Sequence, residues 1–91
     1  MKLILPLLLI LCVPLMGDEK ADKKLFEETK ARAEKGNPSA QNNLGVMYAI
    51  GQGVPKDFKE AMKWWRKAAE QGNALAQFSL AKKYQGGKGV L

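Results

Sequence analysis

The sequence predicts an all-α protein made of antiparallel helix-pair repeats, an α/α solenoid. Two observations predict it: residues recur at a spacing of 36, and apolar residues inside the repeat follow helical spacing between glycine-containing turns. The recurring pairs are Ala33 with Ala69, Gly36 with Gly72, Asn37 with Asn73, Ala40 with Ala76, Gln41 with Gln77, Leu44 with Leu80, Tyr48 with Tyr84, Gly51 with Gly87, Gly53 with Gly89 and Val54 with Val90. Self-similarity at a period of about 20 to 50 residues is typical of stacked units that bury one another's apolar faces.

The first segment, residues 1–17, has the layout of a secretory signal peptide. Lys2 gives a positive start, Leu3 to Met16 is almost wholly apolar, and charged residues begin at Asp18. Gly17 is small enough to precede the cleaved bond, although Leu15 fits the usual small-residue pattern poorly. The sequence therefore predicts an exported protein, periplasmic or secreted, whose repeat domain spans 18–91.

Two alternatives compete with the signal-peptide interpretation. A permanent membrane anchor would need about 20 apolar residues, whereas the stretch from Leu3 to Met16 is shorter and contains Pro6 and Pro14. A lipoprotein would use Cys12, but Leu11 precedes it where such signals carry a small residue. No transmembrane span is expected after cleavage.

The composition of the exported part excludes several kinds of chemistry. Cys12 is the only cysteine of the chain and there is no histidine, so residues 18–91 contain neither. Disulfides, zinc or other soft-metal sites, and catalysis by a cysteine or histidine are then excluded. We therefore expect no metal, no cofactor and a fold stabilised by packing alone.

The first half of the helical region contains two predicted helices. The first runs from Asp18 to Lys35 and ends at Gly36; its apolar face is formed by Leu25, Phe26, Thr29 and Ala33. Asn37 then caps a second helix that starts at Pro38 and runs to about Ala49. Its inward stripe contains Ala40, Leu44, Met47 and Tyr48, and we expect Gly45 to lie where a neighbouring helix comes too close for a side chain.

A turn over 51–57 separates these helices from the second half, and Asp57 is placed to cap the next helix. The third predicted helix runs from Phe58 to about Gln71. Its broad apolar face contains Phe58, Ala61, Met62, Trp65, Ala68 and Ala69, with Trp64 at the margin. Such a wide face suits a helix that packs on two sides. The fourth predicted helix runs from Ala74 to about Gln85, with Ala76, Leu80 and Tyr84 inward.

At this point the residues resemble a known family. The pattern Gly36, Ala40, Leu44, Gly45, Tyr48, Gly51, Gly53, Val54, Asp57, Ala61, Trp64, Lys67, Ala68, Ala69, Gly72 is similar to the Sel1-like repeat, a relative of the tetratricopeptide repeat. The resemblance covers a full repeat at 36–71 and a partial second repeat at 72–91, and the first helix resembles the second helix of a degenerate preceding unit. It implies a right-handed superhelix of helix pairs that serves as an adaptor for protein complexes, in bacteria often at the cell envelope.

The favoured function is accordingly a protein-interaction module and not an enzyme. The structural repeat core is predicted to comprise Ala40, Leu44, Gly45, Tyr48, Ala61, Trp64, Trp65, Ala68, Ala69, Ala76, Leu80 and Tyr84. Partner contacts are predicted at variable positions of the concave helices, namely Asn42, Asn43, Met47 and Phe78.

Two other functions compete with this one. Ser79 to Lys82 fits the S-x-x-K pattern of penicillin-binding enzymes, and cysteine-rich relatives have been described as β-lactam-binding or hydrolysing, but the S-D-N and K-T-G partners are absent here. Residues 18–91 lack Lys2 and carry a net charge of +5, which leaves open an adhesin for anionic envelope polymers. Lysines interleaved with acids, as at Lys59 and Glu60, are typical of a solvated helix face and do not predict nucleic-acid binding.

The fourth helix also predicts an association. The sequence reaches Leu91 before any segment resembling the Ala61 to Trp64 stretch that should pack over this helix. We expect a second copy or a helix of a protein partner to cover that end, and we expect the isolated monomer to fray from Ala74 onward.

Overall fold

The computed structural model describes residues 19–85, which form four α-helices and no strand. The helices are α1 (Glu19–Glu34), α2 (Pro38–Ile50), α3 (Phe58–Glu70) and α4 (Ala74–Gln85). Each agrees with a predicted helix, and each predicted boundary lies within one residue of the observed one. None of the helices described is long and apolar enough to cross a membrane. The predicted signal peptide and the glycine-rich segment 86–91 lie outside the described residues.

The helices pack in chain order, α1 on α2, α2 on α3 and α3 on α4. The connections between them are short, so each helix returns along its predecessor as an antiparallel neighbour. Helix α3 therefore lies between α2 and α4, which is why its sequence carries the broad apolar face. This arrangement confirms the all-α helical repeat solenoid.

Side-chain caps explain where the helices begin. The Oδ1 atoms of Asn37 and Asn73 accept hydrogen bonds from the backbone N–H groups of Ala40 and Ala76 at 2.9 and 2.8 Å. Asp57 Oδ1 accepts from the N–H of Glu60 at 3.2 Å in the same way at α3. Each cap satisfies a backbone donor that the first turn of a helix leaves unpaired.

A second hydrogen bond repeats with the sequence period and joins neighbouring helices. Gln41 Nε2 donates to the carbonyl oxygen of Ala33 at 3.1 Å, and Gln77 Nε2 donates to that of Ala69 at 3.2 Å. Each glutamine thus joins the start of one helix to the end of the preceding helix. The recurrence of Gln41 as Gln77 therefore has a structural cause beyond apolar packing.

The connection between α2 and α3 lies against α1. A Cβ atom on Gly53 would overlap the carbonyl oxygen of Asp22, and the φ of Gly53 is +74°, so both the space and the backbone conformation require glycine there. The Phe26 and Tyr48 rings meet edge-to-face at 5.4 Å beside this contact. The turn therefore fixes α1 onto the rest of the solenoid.

Two residues assigned to inward faces lie at the surface. Leu25 of α1 and Phe58 of α3 are exposed, whereas Thr29 and Ala33 of α1 are buried. Phe58 is the first residue of its helix, and the Nζ atom of Lys83 lies 3.9 Å from the centroid of its ring. The apolar stripe of a helix can extend beyond the part that contacts a neighbouring helix. Phe58, the first residue of the α3 stripe, therefore remains exposed to solvent.

Candidate protein-interaction surface

Trp64 and Trp65 are adjacent in sequence but belong to two different apolar clusters. Trp64 packs with Ala33, Ala40 and Leu44. Trp65 packs with Ala61, Ala68 and Ala76. Both indoles are buried, so neither is exposed to bind a ligand at the surface. The first cluster joins α3 to α1 and α2, and the second joins α3 to α4.

The closest contact between helices is that of Trp65 with α2. A Cβ atom on Gly45 would lie 2.5 Å from both Cδ1 and Nε1 of Trp65, closer than any side chain allows. The same indole donates through Nε1 to the carbonyl oxygen of Asn42 at 3.2 Å. Gly45 is therefore the position where the neighbouring helix comes too close for a side chain, and the neighbour is the Trp65 ring.

The remaining predicted core residues lie at the margins of the two clusters. Tyr48, Ala69 and Leu80 are partly buried and pack against them. The side chain of Tyr84 lies outside the described residues. Within the described part, the core residues thus lie at contacts between helices and are not grouped into a concave site.

Burial raises the pKa of the Tyr48 hydroxyl, and the carboxylates of Glu60, Asp57 and Glu34 raise that pKa further. The folded protein therefore keeps this proton at pH values where the unfolded chain, with a tyrosine pKa of about 10, loses it. This contribution to stability is complete below about pH 10 and decreases as the pH rises through the folded-state value.

Urea unfolding between about pH 8 and about pH 11 tests this effect, with Tyr48→Phe as the comparison. The informative quantity is the difference in stability between the two proteins at each pH. We expect the parent to lose more stability than Tyr48→Phe as the pH rises. Parallel curves for the two proteins would contradict the effect.

Two of the four predicted partner contacts are wrong. Asn42 is only 6% exposed because Trp65 of α3 covers it, and Met47 is only 4% exposed because the helical period places it on the inward side with Leu44. Asn43 and Phe78 are exposed, Phe78 at 64%. Nothing in the sequence around Asn42 indicates its burial, since asparagine is usually a surface residue.

The exposed apolar side chains on α2 and α4 were mostly missed by the sequence reasoning. Val46 and Ile50 are exposed on α2, and Leu75 and Phe78 are exposed on α4. Only Phe78 was predicted as a contact. A signal was present in the sequence: α4 has apolar residues on the side opposite to Ala76 and Leu80 as well as on the side that contains them. Such exposed apolar groups are candidate contacts for another protein.

Lysines lie over several aromatic rings. The Nζ atoms of Lys63 and Lys67 are 5.6 and 5.5 Å from the Trp64 centroid, and that of Lys82 is 5.8 Å from the Phe78 centroid. These distances fit cation–π contacts. Lys82 thus lies over Phe78 on the outer side of α4 and is exposed. The lysine of an S-x-x-K site, in contrast, is enclosed.

Two buried polar atoms in the described part of the chain have no hydrogen-bond partner, Asn42 Oδ1 and Trp64 Nε1. The backbone carbonyl of Asn42 accepts from Trp65, and the Trp64 indole lies among apolar side chains. Leaving such an atom unpaired costs about 1–3 kcal/mol. Both atoms lie within helix contacts and do not form a ligand site.

Comparison with known proteins agrees with this architecture. The sequence matches the Sel1 repeat profile at residues 38–73 and 74–91, a frame shifted by two residues from the repeat at 36–71. The fold is similar to the crystal structure of a Sel1 repeat protein from Oxalobacter formigenes, at 43% identity and a TM-score of 0.73 over 77% of this chain and 29% of that one.

A second similar structure is a protective antigen of uropathogenic Escherichia coli with an SLR fold. Identity is 43% and the TM-score 0.67, over 71% of this chain and 14% of that one. This chain therefore spans less than a third of the length of either structure. A search of curated proteins finds no match. Because the repeat profile matches more than half of its residues, the chain belongs to the Sel1 repeat family, whose helical repeat fold typically serves as a non-catalytic scaffold for protein interaction.

Proposed function

We propose that this protein is an interaction module that binds another protein after export to the cell envelope. The observation that supports binding is the exposure of large apolar side chains on α2 and α4, Ile50 on the first and Leu75 and Phe78 on the second. Water-exposed leucine and phenylalanine on a helix are typical of surfaces that another chain covers. The lack of histidine and cysteine in residues 18–91 and the exposed setting of Lys82 agree with a binding role.

Export is supported by the sequence of the first segment. Lys2, the apolar run from Leu3 to Met16 and the charged residues from Asp18 onward are arranged as in a secretory signal. The absence of cysteine from 18–91 removes any need for disulfide formation after export. An exported module of this kind would meet its partner in the periplasm or outside the cell.

Intact-mass measurement of the protein recovered from its natural host tests export. We expect a species that lacks residues 1–17, found in the envelope or secreted fraction. A full-length species confined to the cytosol would contradict the proposal. The cleaved mass also distinguishes a signal peptide from a lipoprotein, which would begin with a lipid-modified Cys12.

Crosslinking in intact cells followed by affinity purification tests binding. We expect a defined protein partner that is recovered at a constant ratio to the bait. A Leu75→Asn, Phe78→Asn double variant, which removes two exposed apolar side chains, tests whether recovery depends on them. Recovery of anionic polymers alone, with a steep decline in high salt, would favour an adhesin and overturn the proposal.

A further inference from the structure

The outward side of α4 is apolar, although its opposite side already packs against α3. The residues three and four positions on either side of Phe78 are Ala74, Leu75, Ala81 and Lys82, and all of them are exposed. We name these five residues the Phe78 face. Leu75 and Phe78 are 66% and 64% exposed. A helix with apolar residues on both sides is usually covered on both sides.

The repeat shows what covers the corresponding side of α2. At the spacing of 36, Phe78 corresponds to Asn42 and Ala81 corresponds to Gly45. Asn42 and Gly45 are buried on α2 because Trp65 of α3 lies over them. Phe78 and Ala81 therefore mark the part of the Phe78 face over which this architecture positions a helix, whereas Leu75 and Lys82 correspond to Ser39 and Val46, which stay exposed at the edge of the α2–α3 contact.

Two residues show that the covering helix differs from α3. A Cβ atom at Gly45 would lie 2.5 Å from the Trp65 ring, and Ala81 carries such an atom at the equivalent position. Phe78 adds a ring where α2 has a carboxamide. The occupant must therefore present a small side chain opposite Ala81 and an apolar recess for Phe78.

The charges of α4 define one end of the occupant. Lys82 and Lys83 lie in its last turn, and the helix contains no aspartate or glutamate. In the α2–α3 pair, the N–H of Asp57 donates to the carbonyl oxygen of Tyr48 at 2.8 Å, so the first turn of α3 lies beside the last turn of α2. Lys83 lies over the Phe58 ring on the α3 side, so a helix in the same orientation on α4 would place its first turn beside Lys82, where carboxylates are favoured by both the helix dipole and the lysine charge.

A second copy of this chain is a poor occupant. Helix α1 is the element that corresponds to α3, but it carries Glu28 and Arg32 where α3 has Trp64 and Ala68. These charges would meet an apolar surface, and Thr29, which stands where α3 has Trp65, is already buried within its own chain. The net charge of +5 on residues 18–91 also makes copies repel one another.

We propose that the Phe78 face binds an amphipathic helix of another protein, one with carboxylates in its first turn, an apolar stripe and a small residue opposite Ala81. This inference rests on the proposed interaction function and specifies the class of partner. In this binding mode the partner helix lies on an apolar surface and contacts it through residues at helical spacing.

The probe is a synthetic helical peptide with leucines along one stripe, alanine at its centre and glutamates in its first turn. Two matched peptides replace the glutamates with lysines, or the central alanine with tryptophan. Binding of each to the full protein is followed by fluorescence anisotropy. We expect the acidic, alanine-centred peptide to bind at least about tenfold more tightly than either matched peptide.

Three protein variants locate the site. Phe78→Asn, which restores the α2 residue, and Lys82→Glu should each weaken the acidic peptide by about tenfold. Leu25→Asn, an equal loss of an exposed apolar side chain on α1, should leave binding unchanged. Ala81→Gly should selectively improve binding of the tryptophan-centred peptide. All variants change exposed residues, and circular dichroism checks that each is folded.

No binding of the acidic peptide, or equal weakening by Leu25→Asn and Phe78→Asn, would overturn the inference. Concentration-dependent dimers in sedimentation that Phe78→Asn abolishes would also overturn it, since they would assign the face to a second copy. If a protein partner is captured in cells equally by the parent and by Phe78→Asn, the interaction function stands and only the Phe78 face is wrong.

Discussion

Trp65→Ala should destabilise the protein by about 3–5 kcal/mol, enough to unfold most of a domain of this size. The indole is almost fully buried and fills the space among Ala61, Ala68 and Ala76. It also covers Gly45 and donates to the carbonyl oxygen of Asn42. The other buried residues of that cluster are alanines, whose side chains cannot extend into the cavity.

The measurement is urea unfolding followed by far-ultraviolet circular dichroism, which does not depend on the removed fluorophore. Phe78→Ala is the matched control, since it also deletes an aromatic ring, but one that is mostly in solvent. We expect that control to change stability by no more than about 0.5 kcal/mol. Equal stability of the two variants would show that Trp65 is not a core residue.

Gly45→Leu should destabilise by about 1–3 kcal/mol through overpacking, although leucine favours a helix more than glycine does. Glycine in the middle of a helix costs about 1 kcal/mol relative to alanine, so at a free surface the substitution would be stabilising. Here even the Cβ atom would lie 2.5 Å from the Trp65 ring. The steric effect therefore opposes and exceeds the gain in helix propensity.

Ala81→Leu is the matched control for this substitution. Ala81 is at the corresponding position of α4. Because Ala81 is exposed, a leucine there should be tolerated. Combining Gly45→Leu with Trp65→Ala should cost less than the sum of the single changes, because the leucine enters the space that the indole vacates. A Gly45→Leu protein that melts above the parent, or fully additive costs, would remove the close-contact explanation.

The helix boundaries could be predicted from sequence because their causes are local. Asn37 and Asp57 cap the helices that follow them with their own side chains, and Gly36 ends α1 in a left-handed conformation. Each device acts within a few residues of its own position. Pattern reasoning therefore placed every helix start and end within one residue of the structure.

The predicted partner surface was less accurate because exposure depends on distant residues. Asn42 is polar and lies in the middle of a helix, yet an indole from the next helix covers it. Leu75 is apolar and was not predicted as a contact, yet it is exposed. In both cases the polarity of the side chain predicts the wrong exposure. The presence or absence of a neighbouring helix determines whether the side chain is buried.

The sequence by itself determined the period and the helices, because each depends on spacing and on backbone chemistry. The tertiary structure identified the Trp65 ring as the neighbour that requires glycine at position 45. Only the tertiary structure decided that Trp64 and Trp65 enter separate clusters and that the Phe78 side of α4 stays uncovered among the described residues. Adjacent helical residues point about 100° apart, so Trp64 is directed toward residues of α1 and α2 and Trp65 toward Gly45 of α2 and Ala76 of α4. Whether a side chain is buried depends on the neighbouring helix. The sequence of one helix does not show which of its sides has a neighbour.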